Sequence, residues 1–195
     1  MPIPHSQLET WSHQGPIISS STTYQSIKNA LEHSNSPISQ MINSGAVKVY
    51  LQGSYANDTN IRGDSDVDVV VELTDAFHSN KHQLTPPELQ LHEQVYSPAS
   101  YGWGDLRSDV IKALNLYYGE SYVDTSGNKS IKVLPNSGRL RADVVPVVSY
   151  RKYHYFNGMY DHSKDDGVSL THMTTKSRII NYPERHYQNG VQKHK

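Results

Sequence analysis

The sequence predicts an α+β fold, in which helices pack against a sheet within one domain of residues 1–195. Two valine-rich segments, Asp66–Val71 and Asp143–Val148, have the β-branched composition of buried strands. Two helical patterns, Thr22–His33 and Trp103–Tyr118, carry apolar residues every three or four positions. A length of 195 residues is enough for one domain with a well-packed core and too short for two domains of ordinary size.

Two helices and a strand are expected before the first valine-rich segment. Ser20 or Ser21 is predicted to cap the first helix, because a serine hydroxyl can accept a hydrogen bond from a free backbone N–H. A shorter helix starts at Ser36 and ends at Gly45, since glycine readily adopts the left-handed conformation that closes a helix. The strand Ala46–Gln52 then follows.

The second half of the chain is predicted to add helices, a hairpin and a further strand pair. A polar loop, Thr74–Thr85, is followed by a helix that begins at Pro86, where proline is tolerated in the first turn. The turn sequence Thr125–Asn128 indicates a hairpin between two short β-prone segments. The expected strands here are Tyr122–Asp124, Ser130–Val133, Tyr150–Asn157, Gly167–Met173 and a last element at Ser177–Asn181.

Composition excludes several classes of protein. The net charge is −1, whereas a protein that binds duplex nucleic acid usually has an excess of basic residues. We therefore expect no strong nucleic-acid binding. No cysteine is present, which excludes a disulfide scaffold and cysteine-based zinc sites, and the eleven histidines lack ligand spacing. No apolar run reaches membrane-spanning length and no signal peptide is recognisable, so we expect a cytoplasmic bacterial protein without membrane contact.

The most informative stretch is Leu51–Leu73, which has the sequence LQGSYANDTNIRGDSDVDVVVEL. Side chains alternate along a strand, so Asp66 and Asp68 are predicted to point to the same face. Two carboxylates this close repel each other unless a cation lies between them, and Mg²⁺ suits such a pair of oxygen ligands. The sequence therefore predicts a magnesium site that also binds the phosphates of a substrate.

A phosphate site is expected just upstream of the carboxylate pair. Gly53 lets a phosphate approach the backbone closely, and Ser54 opens a short helix or turn whose free N–H groups attract anions. Gln52 could face the nucleotide, although a glutamine at a strand end is usually solvated. Asp64 lies in a turn sequence, where aspartate commonly bonds its own backbone, and is not our first choice as a metal ligand.

These motifs resemble those of a known superfamily. The Gly-Ser pair followed by DSDVDV is similar to the signature of the DNA polymerase β-like nucleotidyltransferases. The segments QLETWSHQG and GNKSIKVLPNSGRLRADVVP resemble, more narrowly, the bacterial cGAS/DncV-like nucleotidyltransferases (CD-NTases). The resemblance covers nearly the whole chain, and it implies the polymerase β-like fold, a mixed twisted sheet with helices packed on one face.

The resemblance also implies a set of site residues. Asp143, at the head of the second valine-rich segment, matches the third carboxylate of the family, which with Asp66 and Asp68 would bind two Mg²⁺ ions. Gly53, Ser54, Gln52 and Arg141 would make up the nucleotide site. Arg141 shares a strand face with Asp143, so it would neutralise the carboxylates or contact the acceptor nucleotide, unless it is an ordinary ion-pair arginine.

The function implied by the resemblance is Mg²⁺-dependent joining of nucleoside triphosphates, with release of pyrophosphate. The product would be a cyclic or linear oligonucleotide messenger of anti-phage signalling, made from ATP, GTP, UTP or CTP and controlled by a regulatory protein partner. A nucleotidyltransferase that modifies a protein side chain is the alternative, and an inactive nucleotide-binding fragment is another. By this resemblance we expect the chain to lack the helical second domain of the family, either as the catalytic portion of a longer protein or as a naturally short form. We expect such a chain to be weakly active or inactive alone.

Overall fold

The structure, a computed structural model, describes residues 15–52 and 66–182, with side chains from Ser20 onward. Its helices are α1 (Gly15–Glu32), α2 (Ser39–Ser44), α3 (Pro86–Val95), α4 (Trp103–Tyr118) and a short 3-10 helix, Glu120–Tyr122. Its strands are β1 (Val47–Gln52), β2 (Val67–Asn80), β3 (Val123–Asp124), β4 (Ile131–Val133), β5 (Ala142–Phe156), β6 (His162–Thr171) and β7 (Arg178–Asn181). None of the helices in these ranges is both long and apolar enough to cross a bilayer.

The strands form one mixed sheet centred on β2 and β5. These two strands run parallel to each other. On the outer side of β2, β1 pairs with it in antiparallel fashion. On the other side of β5, β4 pairs antiparallel with β5, and β3 pairs antiparallel with β4. Farther along β5 the place of β4 is taken by β6, and β7 follows β6 at the edge. The two long central strands therefore carry different neighbours at their two ends.

Pro146 lies in the interval of β5 between the residues paired with β4 and those paired with β6. A proline in a central strand removes a ladder hydrogen bond, so it is tolerated where the ladder is interrupted. Trp103 at the start of α4 covers this interval and donates its indole N–H to the Pro146 carbonyl at 2.8 Å. The helix is thus attached to the middle of the central strand.

Alternation along the central strands assigns each face of the sheet its own cluster. The first face is covered by helices α1, α2 and α4, and its fully buried strand residues are Val67, Val69, Val71, Ala142, Val144, Ile131 and Val133. The opposite face carries a smaller cluster of Val70, Val147, Val168 and Leu170. A third cluster, Leu84, Tyr153 and Phe156, packs under α3 at the far end of β5. The predicted α+β architecture, with a mixed sheet and helices on one face, is confirmed.

Most predicted elements are present, and the differences concern where they begin and end. The hairpin, the helix ends at Gly45 and Gly119 and the start of α3 at Pro86 are as predicted. The predicted cap at Ser20 or Ser21 is wrong, because α1 already begins at Gly15 and both serines lie inside it.

Three strands differ in extent from the prediction. The predicted loop from Thr74 is wrong as far as Asn80, because β2 continues through these polar residues beside β5. The two separate strands predicted on either side of Ser149 are one continuous strand, β5. The strand β6 begins at His162 instead of Gly167, so the loop before it is only residues 157–161.

Candidate active site

Five polar residues form a row across the first five strands of the sheet. The strand register pairs Gln52 with Asp68, Asp68 with Asp143, Asp143 with Lys132 and Lys132 with Asp124. The row therefore crosses β1, β2, β5, β4 and β3 in that order. We call these five residues the polar row.

The core determines the direction in which the polar row points. The residues on either side of Asp68, Val67 and Val69, are fully buried against the helices, as are Ile131 and Val133 on either side of Lys132. Because successive side chains of a strand alternate between faces, the polar row projects from the face opposite the helices. Asp143 therefore lies on the same side of the sheet as Asp68, as the sequence predicts.

The carboxyl groups of Asp68 and Asp143 are affected by burial and by the charges around them. Burial raises the pKa of the Asp68 carboxyl, and the charges of Asp143 and Asp66 raise it further. Burial also raises the pKa of Asp143, together with the charge of Asp66, against the lowering effects of Lys132, Ser130 and Arg141. Burial and neighbouring carboxylate charge thus both disfavour the ionised forms of Asp68 and Asp143 at this end of the sheet.

Asp66 lies immediately before β2 and pairs with Arg141, immediately before β5. The Arg141 Nε lies 3.9 Å from the Asp66 Oδ1, and the two side chains are 49% and 37% exposed. The Val67 N–H donates to the Arg141 carbonyl at 2.9 Å, which fixes the two strand starts against each other. Arg141 thus forms the ion pair that the ordinary alternative predicts, and its roles in neutralising the carboxylate cluster and in contacting the acceptor nucleotide stay predictions.

The donor set fits a divalent cation. The Asp143 Oδ1 is fully buried and has no hydrogen-bond partner, an arrangement that is costly for a carboxylate oxygen unless a cation binds it. Within residues 15–52 and 66–182, no group of three or more acidic or histidine side chains is arranged to hold a metal ion. The fit therefore rests on the in-register pair of Asp68 and Asp143 and on the unpartnered oxygen, and hard oxygen ligands of this kind suit Mg²⁺.

The remaining predicted site residues have different outcomes. Gly53 and Ser54 lie outside the described residues, and their phosphate-binding roles stay predictions. Gln52 is the last residue of β1 and the first member of the polar row, half-buried beside Asp68, so the structure brings it to the site.

Sequence reasoning missed the β4 side of the site. Lys132 and Ser130 both act on the Asp143 carboxyl, and Asp124 ends the row. Lys132 lies within the segment GNKSIKVLPNSGRLRADVVP, but nothing in that segment singled out this lysine. The only available signal was the hairpin itself, whose register with β5 would have placed Lys132 beside Asp143.

Comparison with known proteins is consistent with this site. A family model described as a nucleotidyltransferase domain matches residues 38–117, which include both Asp66 and Asp68. A cyclic UMP-AMP synthase from Rhodothermus marinus is 43% identical over 193 residues, which are 99% of this chain and 62% of the relative. A cyclic nucleotide synthase from Staphylococcus haemolyticus is 37% identical over 194 residues, 99% of this chain and 63% of the relative.

Solved structures give the same relationship. The Rhodothermus marinus CdnE c-UMP-AMP synthase structure with Apcpp and Upnpp superposes with a TM-score of 0.75 at 41% identity, over 98% of this chain and 61% of that one. The Elizabethkingia meningoseptica CdnE cyclic dinucleotide synthase structure, with GTP and Apcpp, has a TM-score of 0.63 at 27% identity, over 98% and 59%. This chain thus spans about three fifths of the length of these relatives. Over nearly its whole length the chain is thus similar to these cyclic nucleotide synthases, and residues 38–117 match the nucleotidyltransferase domain.

Proposed function

We propose that this chain is the catalytic portion of a metal-dependent nucleotidyltransferase that joins nucleoside triphosphates into a cyclic dinucleotide or a related oligonucleotide. The single observation that carries the proposal is the in-register pair of Asp68 and Asp143 on the face away from the helices, with Asp66 beside it. Such a carboxylate set is what nucleotidyl transfer requires, because the reaction gathers negative charge on phosphate oxygens.

In the reaction, a ribose hydroxyl of one nucleotide attacks the α-phosphorus of another. The new phosphorus–oxygen bond forms as the bond to the β-phosphate breaks, and pyrophosphate leaves. Asp66 and Asp68 would hold two Mg²⁺ ions and Asp143 the one nearer the acceptor; when bound, such ions stabilise the charge on the attacking and leaving oxygens. Asp143 is the nearest candidate in the row to receive the hydroxyl proton.

The substrate-binding roles are assigned by position. Gly53 and Ser54 would bind the β- and γ-phosphates of the donor, next to Gln52 at the end of β1. Arg141 would balance the carboxylates through Asp66. The name of the Rhodothermus marinus relative supports ATP and UTP as the first pair of substrates to test. We also propose the setting that the resemblance implies, cytoplasmic anti-phage signalling under a regulatory protein.

The test is pyrophosphate release from purified full-length protein incubated with Mg²⁺ and the four nucleoside triphosphates, singly and in pairs. Changing Asp66→Ala and Asp68→Ala together should reduce the rate by at least about 10²–10³-fold, because it removes both shared metal ligands. Asp75→Ala is the matched control, since Asp75 is an exposed aspartate of the same strand.

Three outcomes would contradict the proposal. If the double variant retains activity, the carboxylate mechanism is wrong. If radioactive label from the triphosphate travels with a protein band and no small product forms, the alternative of protein modification is correct. If triphosphates bind with no turnover by the full-length protein, it is a nucleotide-binding protein without this activity.

A further inference from the structure

Lys132 is a charged residue in the polar row that the carboxylate mechanism does not use. It is the central residue of β4, half-buried, and its neighbours Ile131 and Val133 are fully buried in the core. This alternation turns the Lys132 side chain to the same face as Asp143. The register places it between Asp143 on one side and Asp124 on the other.

The ammonium of Lys132 acts on both aspartates without forming a close pair with either. Its charge opposes the burial that raises the pKa of Asp143, and it adds to the Ser126 hydrogen bonds that lower the pKa of Asp124. Among the described residues, however, none of the ion pairs within 4.0 Å includes Lys132, whereas Lys28, Lys81, Lys112 and Lys164 each have such a partner. Asp124 instead accepts a hydrogen bond from the Ser126 N–H at 2.9 Å. The ammonium has donors available for a ligand.

The order of the strands indicates whether the donor or the acceptor nucleotide would contact the Lys132 ammonium. The Gly53-Ser54 pair directly follows β1, so the proposed donor phosphates lie toward the Gln52 end of the row. Lys132 lies beyond Asp143 at the other end, separated from β1 by two strands. Adjacent strands are about 4.8 Å apart, so this side lies roughly 14 Å from β1. Oxygens that reach Lys132 therefore belong to the nucleotide whose hydroxyl lies next to Asp143.

We propose that Lys132 binds the acceptor nucleotide, donating hydrogen bonds to its sugar and phosphate oxygens. The inference rests on the proposed function and adds a substrate-binding residue on the acceptor side of the site. A charge-assisted hydrogen bond suits this task because Lys carries three donors on a flexible stem that can follow the acceptor. The competing explanation is that Lys132 only offsets the charges of Asp143 and Asp124.

A reaction that can form only one phosphodiester bond allows the effects on donor and acceptor to be measured separately. The donor is 2′,3′-dideoxy-ATP, which can give its nucleotidyl group but has no acceptor hydroxyl. The acceptor whose concentration is varied is a UTP analogue with an uncleavable α–β bridge, which has the hydroxyls but cannot give its nucleotidyl group; if another pair of triphosphates is active, the corresponding analogues replace these two. Lys132→Met keeps the length of the side chain and removes the charge. It should raise KM for the acceptor by about tenfold or more, the weight of one hydrogen bond to a charged group.

Binding of the donor analogue Apcpp with Mg²⁺, measured by calorimetry, should keep the same Kd in Lys132→Met. Lys132→Arg should recover most of the acceptor affinity, because it restores the charge and the donors. Lys129→Met is the matched control, since Lys129 is an exposed lysine three residues upstream and should leave both constants unchanged.

Other outcomes would overturn the inference. An unchanged acceptor KM in Lys132→Met excludes a contact with the acceptor. A matching loss of Apcpp affinity, or recovery of activity when Asp124→Asn is added to Lys132→Met, assigns Lys132 to charge balance alone. If the unchanged protein releases no pyrophosphate from any pair of triphosphates, the proposed function fails and the inference fails with it.

Discussion

The positions of Asp68 and Asp143 favour cation binding. The same positions lower the stability of the metal-free protein. The pKa of each carboxyl is raised by burial and by neighbouring carboxylates. A raised pKa in the folded state means that the fold favours the protonated form. This contribution to stability is fully present below the unfolded pKa near 3.8 and is lost as pH rises through the folded pKa.

We therefore expect Asp143→Asn to stabilise the metal-free protein at pH 7. The amide keeps the shape of the carboxyl and removes its charge, so Tm should rise by a few degrees, at about 2–4 °C per kcal/mol for a domain of this size. The measurement is thermal unfolding in the presence of EDTA at pH 7 and pH 4. The difference between variant and unchanged protein should shrink at pH 4.

Added Mg²⁺ provides the complementary test of the same residues. It should raise the Tm of the unchanged protein, because the cation offsets the carboxylate repulsion and binds only the folded state. The rise should be smaller in Asp143→Asn, and Asp75→Asn should behave like the unchanged protein. A lower Tm for metal-free Asp143→Asn at pH 7 would contradict the repulsion that we infer.

The sequence predicted those site residues that belong to a recognisable motif. Asp66 and Asp68 stand two positions apart in a β-branched run, so their common face follows from strand alternation. Lys132 could not be found in this way, because its place beside Asp143 depends on the register of a three-residue strand. That register is set by packing of Ile131 and Val133 in the core, which no local pattern reports.

At the scale of elements, α1 holds the site in place through buried hydroxyl groups. The Thr23 Oγ1 accepts a hydrogen bond from the Leu140 N–H at 2.9 Å, just before the strand that carries Asp143. Tyr24 donates to the Val49 carbonyl of β1 at 3.0 Å, and the hydroxyls of Ser26 and Tyr118 bond at 2.8 Å. The missed first part of the helix, residues 15–21, ends in Ser19, Ser20 and Ser21, and because serine is typical of a helix cap, the predicted start was too late.

We expect Thr23→Val to destabilise the protein by about 1–3 kcal/mol, because it leaves the Leu140 N–H without its partner while keeping the shape of the side chain. Thr23 is fully buried, so water cannot replace the lost hydroxyl. Thr23→Ser keeps the hydroxyl and serves as the control. The measurement is urea unfolding, and equal stability of the valine variant and the unchanged protein would contradict this role.

Gly167 determines how the edge strand β7 approaches β6. A Cβ added to Gly167 would lie 2.6 Å from the Asn181 carbonyl oxygen and 2.9 Å from the Tyr182 ring. The ring also packs edge-on against Tyr150, at 6.1 Å between ring centroids. A side chain at this position is therefore incompatible with the present path of residues 181 and 182.

Gly167→Ala should loosen β7 while leaving the polar row unchanged, because β7 pairs with β6 alone among the described strands. Amide hydrogen exchange should become faster at β7 and stay the same at β1. Gly104→Ala in α4 is the control, since a Cβ there meets nothing within 4 Å. Unchanged exchange in β7 would mean that the strand can shift without loss of its hydrogen bonds.

Element boundaries were harder to predict than element types for a similar reason. The predicted loop after Leu73 contains polar residues, yet β2 continues because β5 supplies partners for its backbone as far as Asn80. A register shift between Leu73 and Phe77 also interrupts the alternation there. Backbone pairing of this kind is a tertiary property, so the sequence of the strand alone did not reveal it.

Across the whole molecule, stability at acid pH is expected to depend on buried histidines. His92 lies among the rings of Phe77, Tyr96, Tyr153 and Phe156, and its Nε2 is buried without a partner. Burial lowers the pKa of His92, and burial with the charge of Arg178 lowers that of His78. A lowered folded pKa means that stability falls as pH drops below the unfolded value of 6.5.

His92→Phe should therefore reduce the loss of stability between pH 7 and pH 5. Phenylalanine preserves an aromatic ring in the cluster and cannot take up a proton. His82→Phe is the control, because His82 is exposed and its change should leave the pH dependence unaltered. The measurement is Tm across this pH range, and an unchanged acid slope in His92→Phe would refute the assignment.

The alternation of Val67, Asp68 and Val69 has a consequence for how the length of this chain can vary during evolution. Inserting or deleting one residue within β2 would exchange the two faces and bring the Asp68 carboxylate into the core against α1 and α4. Related chains can therefore gain or lose residues in connections such as 157–161, or where the register already shifts between Leu73 and Phe77, more easily than between Val67 and Val71. The valines that pack the core thus fix the length of this part of β2.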